Sequence, residues 1–322
     1  MCIIFLIIII MTIITGIIFL IFFFLNKYMK SVCDSGENEK CKTCDIFNNC
    51  NSCNPGYKLE EGACIINYLF EALYYTETPN EVVNLFGEFK FKIEEMFIDG
   101  KKVKPCRKYI FESIGSHSVL VLIDLSQISS FEFMFFESEM ISISFTKIFN
   151  TENIKDMNNM FDSCTKLTSI DLSVFNTRNV KDMEGMFSQC SSIISINLSN
   201  FNTEYVEYMN SFFYECNLLT SIDLSNFNTK NVKGMFQFFS GCNSLTSINL
   251  SNFNTENVTD MHEFFSECYS LTSINLSNFN TENVTDMSNM FANCFSLKFV
   301  DLSRFEMSGV EDMRVCFQTA IN

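Results

Sequence analysis

The stretch LTSINLSNFNTENVTDMSNMFANC, Leu271–Cys294, decides the fold, because it returns with a period of 26 residues through the second half of the chain. Met157, Met183, Met209, Met235, Met261, Met287 and Met313 are 26 apart with no insertion, and Cys164, Cys190, Cys216, Cys242, Cys268 and Cys294 keep the same step. Self-similarity at a period of roughly 20–50 residues marks a solenoid, whose units are each too small to bury their own apolar face and must stack on their neighbours.

Within one unit, Leu271, Ile274, Leu276 and Phe279 match L-x-x-L-x-L-x-x-F, the strand half of a leucine-rich repeat. Side chains alternate across a strand, so Ile274 and Leu276 should point inward while Ser273, Asn275 and Ser277 face out. Asn280, with counterparts at Asn176, Asn202, Asn228 and Asn254, is expected to satisfy backbone groups of neighbouring turns. Val284, Met287, Met290, Phe291 and Cys294 then follow helical spacing, and Asn283 with Asp286 offers an N-cap and a first-turn acid. The expected fold is therefore an α/β solenoid, a leucine-rich-repeat array with a parallel β-sheet on its concave face and short helices on its convex face. Helices about 10 Å across cannot stack at the roughly 4.8 Å spacing of paired strands, so the array should curve. The ladder cysteines are expected to be buried free thiols, too far apart to bridge.

The unit L-x-x-I-[DN]-L-S-x-F-N-T-x-x-V-x-x-M-x-x-M-F-x-x-C resembles the repeats of BspA-like leucine-rich-repeat surface proteins over Phe145–Asn322. Tyr205, Gly234 and the Glu306–Met307 pair depart from the pattern. The resemblance implies display at the cell surface, with adhesion or recognition of an extracellular protein or glycan through the concave sheet. The outward strand positions of that sheet are Ser169, Asp171, Ser195, Asn197, Ser221, Asp223, Ser247, Asn249, Ser273, Asn275, Phe299 and Asp301. So uniform a row offers shallow, repeated hydrogen bonding, and any affinity would come from multivalency. The same row could equally serve only to solvate a sheet. Five N-x-[ST] sequons occur, at Asn197, Asn249, Asn257, Asn275 and Asn283. A glycan on the three strand positions would block the concave face, which leaves Asn257 and Asn283 as the candidate glycosylation sites.

Upstream, residues 2–25 carry no charged side chain and exceed the roughly 20 needed to span a hydrocarbon core, so a single-pass signal anchor is expected there. Residues 31–66 hold Cys33, Cys41, Cys44, Cys50, Cys53 and Cys64. A window so small, polar and cysteine-dense has little core, and three disulfides of open connectivity are the expected source of its order. The competing reading of its two CxxC pairs is a zinc site, but the spacing between the pairs is short for one and two cysteines would be left over. Disulfides need an oxidising compartment, which puts the repeats outside the cell. Lys27 and Lys30 argue the other way under the positive-inside tendency.

Residues 67–118 are expected to form a β-rich segment covering the first repeat, with the solenoid occupying 119–322. FKFKIEEMFIDGKKVKP, residues 89–105, reads as a hairpin about Asp99–Gly100, and HSVLVLIDL, residues 117–125, as a buried strand. Cys106 is expected to be a buried thiol, and His117 a structural residue.

The formal charge of −16, from 38 Asp and Glu against 22 Lys and Arg, excludes a phosphate-binding surface and hence nucleic acid as a partner. Two histidines, no nucleophile elbow and no P-loop leave no catalytic constellation, so neither an enzyme nor a cofactor or metal is expected. His262 is expected to be solvated. The function read from the sequence is a membrane-anchored, non-catalytic surface protein. The alternatives are part of a receptor ectodomain, or a cytoplasmic leucine-rich-repeat scaffold tethered to the membrane.

Overall fold

The computed structural model describes residues 69–310, apart from 89–91, 148, 304 and 307, together with the backbone of four short strands between 41 and 66. The anchor expected at 2–25 lies outside the described residues, among which no helix is long and apolar enough to cross a membrane. The chain divides into two compact units, residues 1–68 with 100–102, and 69–99 with 103–322. In the first, β1 (Cys41–Cys44) pairs antiparallel with β2 (Cys50–Cys53), and β3 (Tyr57–Glu60) with β4 (Ala63–Ile66). The register sets the Cα of Cys41 opposite Cys53, that of Cys44 opposite Cys50, and that of Cys64 opposite Leu59. Cys33 and the side chains of the other five cysteines lie outside the described residues, and with them the expected disulfides.

The second unit opens with strands whose alternation is visible in the sequence. In β5 (Phe70–Thr76), Phe70, Ala72, Tyr74 and Thr76 are all fully buried at every second position. β10 (Gly115–Ile123) lies between β5 and β7 (Ile93–Ile98), antiparallel to both. Being covered on both edges, it carries the apolar run expected at 117–125. The hairpin from β7 to β8 (Lys101–Val103) turns at Asp99 and Gly100, with φ of 48° and 74°, the two positive values that a type I′ turn requires. A separate pair joins β6 (Glu81–Asn84) to β9 (Lys108–Phe111).

The repeats begin where β11 (Ser142–Phe145) pairs antiparallel with β5 and parallel with β12 (Ser169–Asp171). β13 (Ser195–Asn197) follows in parallel, with Ser169 opposite Ser195, Ile170 opposite Ile196 and Asp171 opposite Asn197. The spatial register is thus the sequence period of 26. The equivalent triplets at 221–223, 247–249 and 273–275 do not form strands, although Ser221–Ile222–Asp223 repeats the β12 sequence; nothing in the structure explains the difference.

The helices expected on the opposite side are absent: among the described residues there is no helix. In their place is a run of tight turns. Met160, Asp162 and Cys164 donate backbone bonds three residues back, while Met157, Asn159, Phe161 and Ser163 donate to Asp182, Glu184, Met186 and Ser188 of the next repeat. Two residues per repeat, such as Asn159 and Ser163 or Gln237 and Gly241, have φ between 51° and 75°. A left-handed residue recurring every few positions breaks an α-helix before it can form. The apolar residues nevertheless keep helical spacing, because successive turns of three to four residues also return side chains to one face. Backbone bonds between units then run on this side too, and single parallel bridges link Ser130, Asp156, Asp182, Tyr208, Gly234, Asp260 and Asp286 in order. With no helix to accommodate, the steric reason for expecting curvature disappears.

Side chains repeat with the backbone. Phe135, Phe161, Phe187, Phe213, Phe239, Phe265 and Phe291 form a continuous column of near-parallel rings, with centroids 5.2–5.9 Å apart. The six ladder cysteines are free and buried, as expected. Each donates its thiol to a backbone carbonyl of that phenylalanine column in the preceding repeat, as Cys216 does to Phe187 O at 3.2 Å. Cys106 is free but only half-buried.

Two asparagine roles differ from expectation. Asn280 caps its own turn, accepting from Glu282 N at 2.9 Å, and it is Asn278 that reaches across to Leu250 O and Phe253 O at 2.9 and 2.6 Å. Asn283 caps no helix; its amide donates to Glu256 O of the preceding repeat at 2.8 Å. The principal polar ladder is threonine. Thr151, Thr177, Thr203, Thr229, Thr255 and Thr281 are buried, each bonding the next repeat through its hydroxyl.

Candidate ligand-binding face

The strand alternation sends Ser169 and Asp171 to solvent and Ile170 into the core. The same holds along the row: Ser195, Asn197, Ser221, Asp223, Ser247, Asn249, Ser273, Asn275 and Asp301 are all exposed, and Phe299 is 71% exposed. The structure therefore brings the sequence-selected positions onto one surface at the repeat spacing. Over β11–β13 they form an open depression of about 410 Å³, lined by Ser142, Ile143, Ser169, Asp171, Ser195 and Asn197 among others.

The acidic and amide members of this row have a second task. Asp171, Asn197, Asp223, Asn249, Asn275 and Asp301 each accept, through Oδ1, the backbone N–H two residues on, closing the turn after the strand. Asn197 also donates through Nδ2 to Asp171 Oδ1 at 2.8 Å. The Ser225 backbone N–H, with the Ser225 hydroxyl, lowers the Asp223 carboxyl below its ordinary value, so it stays anionic at neutral pH. The face thus presents serine hydroxyls and fixed carboxyl or amide groups, which suit polar ligands bound through many weak contacts.

Sequence reasoning missed one aromatic feature. Tyr269 and Phe295 stack at 5.4 Å while remaining exposed, and they occupy the position held by Asn217 and Asn243 in earlier repeats. That change from amide to aromatic down one column was the available signal. Asn257 and Asn283 are exposed, but their side-chain nitrogens, the atoms a glycan would bond, donate to Lys230 O and Glu256 O.

Both histidines are engaged. His117 is buried, with Nδ1 2.8 Å from Asp99 Oδ2 and its ring 4.0 Å from that of Phe111. His262, expected to be solvated, is half-buried and lies beside Asp260 and Asp286, and these three could hold a metal ion.

No curated protein matches the sequence. A family model, described as Mycoplasma protein of unknown function, DUF285, matches residues 108–221 and again 209–322, two overlapping blocks that take in β9, β10 and the repeats. With the matches spanning residues 108–322 of 322, the chain belongs to the DUF285 family.

Proposed function

We propose that this chain is a membrane-anchored, non-catalytic surface protein of the leucine-rich-repeat, BspA-like kind. In this reading its 26-residue units stack as a solenoid and present the serine and Asx row to an extracellular protein or glycan. The observation that carries it is the exposure of equivalent polar groups at equal steps from Ser169 to Asp301. Equally spaced weak contacts convert to useful avidity only against a repetitive ligand, which is what a glycan or a cell-surface polymer offers. Residues 2–25 would supply the anchor, and the cysteine-rich segment the stem.

The test has two parts. Protease added to intact cells should cleave the repeats along with known surface proteins; protection of the repeats would sink the extracellular assignment and favour the tethered cytoplasmic scaffold. Replacing Ser195, Ser221 and Ser247 with lysine should leave surface level unchanged and abolish adherence to immobilised glycans or extracellular proteins. Unchanged adherence would remove the face from the proposal.

A further inference from the structure

The bridged row on the turn side places Asp260 and Asp286 in adjacent repeats as a parallel pair, tied by the Met261 N–H to Asp286 O at 2.9 Å. Two residues after Asp260 stands His262, one of only two histidines in the chain; the equivalent positions hold Asn158, Glu184, Asn210, Phe236 and Ser288. One potential ligand atom from each of Asp260, His262 and Asp286 lies within 4.8 Å of the other two. His262 Nδ1 is 2.8 Å from Asp260 Oδ1. Donor atoms on one tetrahedral zinc at about 2.1 Å sit about 3.4 Å apart, so this pair has to open by only about half an ångström to share a cation.

The three groups are also held in place. The imidazole lies flat on Phe236, with centroids 4.7 Å apart and planes at 9°. Asp260 Oδ1 accepts from His262 N at 3.0 Å and Asp286 Oδ1 from Ser288 N at 2.7 Å, so each carboxylate is oriented by its own turn. The His262 and Asp260 side chains keep 29% and 35% of their exposure, open enough for an ion to enter with part of its water. Among the described residues, no ion pair puts a lysine or arginine on either aspartate. Two carboxylates neutralise a dication, and the imidazole favours zinc and its transition-metal neighbours over calcium or magnesium.

We propose that Asp260, His262 and Asp286 form a three-ligand site for a divalent transition metal, zinc being the probe of choice, that clamps two adjacent repeats together. The proposal does not depend on the adhesion reading. Binding converts the His262–Asp260 hydrogen bond into shared coordination: a neutral ring protonated at Nδ1 shifts that proton to Nε2 by exchange with solvent, a doubly protonated ring releases one proton to solvent and keeps the other on Nε2, and water completes the shell.

The experiment is a zinc titration of the chelator-stripped full chain, followed by NMR of the histidine ring protons. The expected result is a saturable shift of the His262 signal, with the His117 signal unmoved and the melting temperature raised. The ring signals ignore any zinc taken by cysteines. Asp286→Asn keeps the oxygen that accepts from Ser288 N, so it should fold, and it should weaken binding at least about tenfold. His262→Ser, the residue found at 288, should abolish the zinc-dependent rise in melting temperature. A His262 signal that zinc leaves in place, or an Asp286→Asn titration with an unchanged midpoint, overturns the proposal.

Discussion

The Thr229 hydroxyl makes two bonds to one residue of the next repeat: it donates to Asn254 O and accepts from Asn254 N, each at 2.8 Å. A single side-chain oxygen thus satisfies both main-chain groups where no strand or helix is available to do so. Thr229→Val keeps the shape and removes the oxygen, leaving two backbone groups unpaired. It should cost about 2 kcal/mol or more of unfolding free energy. Thr229→Ser keeps the hydroxyl and should cost about 1 kcal/mol for the lost methyl. Equal losses in urea melts would mean that the hydroxyl is not the stabilising element.

Gly234 stands where four other repeats carry Asp156, Asp182, Asp260 and Asp286, and a Cβ there would overlap the Asn210 amide, approaching Nδ2 at 3.0 Å. That amide is buried and held by Glu184 Oε2 at 3.0 Å. Gly234→Asp should destabilise by about 1–3 kcal/mol through overpacking. In an Asn210→Ala background the penalty should fall below about 1 kcal/mol. Additive effects across this double-mutant cycle would show that the two positions do not meet.

Burial, joined by the nearby Asp156 and Glu184 charges, raises the Asp182 carboxyl above its ordinary value of 3.8. The folded chain therefore holds this proton more tightly than the unfolded one. Its contribution to stability is fullest below the unfolded value and declines as pH rises through the folded one. Asp182→Asn keeps the oxygen that accepts from Glu184 N and should stabilise at neutral pH. Because the group is partly exposed, the gain should be under about 1 kcal/mol, vanishing near pH 3. Thermal melts of parent and variant at both pH values check this; a gain that persists in acid would contradict it.

Burial pushes the thiols of Cys164, Cys216, Cys242, Cys268 and Cys294 up, that of Cys294 to about 12, which suppresses the reactive thiolate. Cys106 is half-buried. Alkylation of the native chain, mapped residue by residue by mass spectrometry, should modify Cys106 ahead of the ladder, with Cys164 through Cys294 reacting only after unfolding. Early labelling of Cys216, at the centre of the ladder, would show that the stack opens more readily than its packing implies.

The sequence by itself determined the repeat, its register, the inward Leu, Met, Phe and Cys positions and the outward Ser and Asx row, because a strict period leaves one way to bury the same residues in every unit. It also determined the Asp99–Gly100 turn, where both residues must take positive φ. Only the tertiary structure decided between helix and turn in the second half of each unit. Met157, Met160, Phe161 and Cys164 have a spacing that serves either, and the left-handed conformations of Asn159 and Ser163 cannot be read from residue type. It likewise decided which polar residue answers which backbone group. Asn278 and Asn280 lie two apart in sequence, yet one reaches the neighbouring repeat and the other its own turn, because their placement depends on where the stacked carbonyls fall. The meeting of His262 with Asp286 has the same origin: residues 24 apart become neighbours only when one turn of the chain is laid on the next.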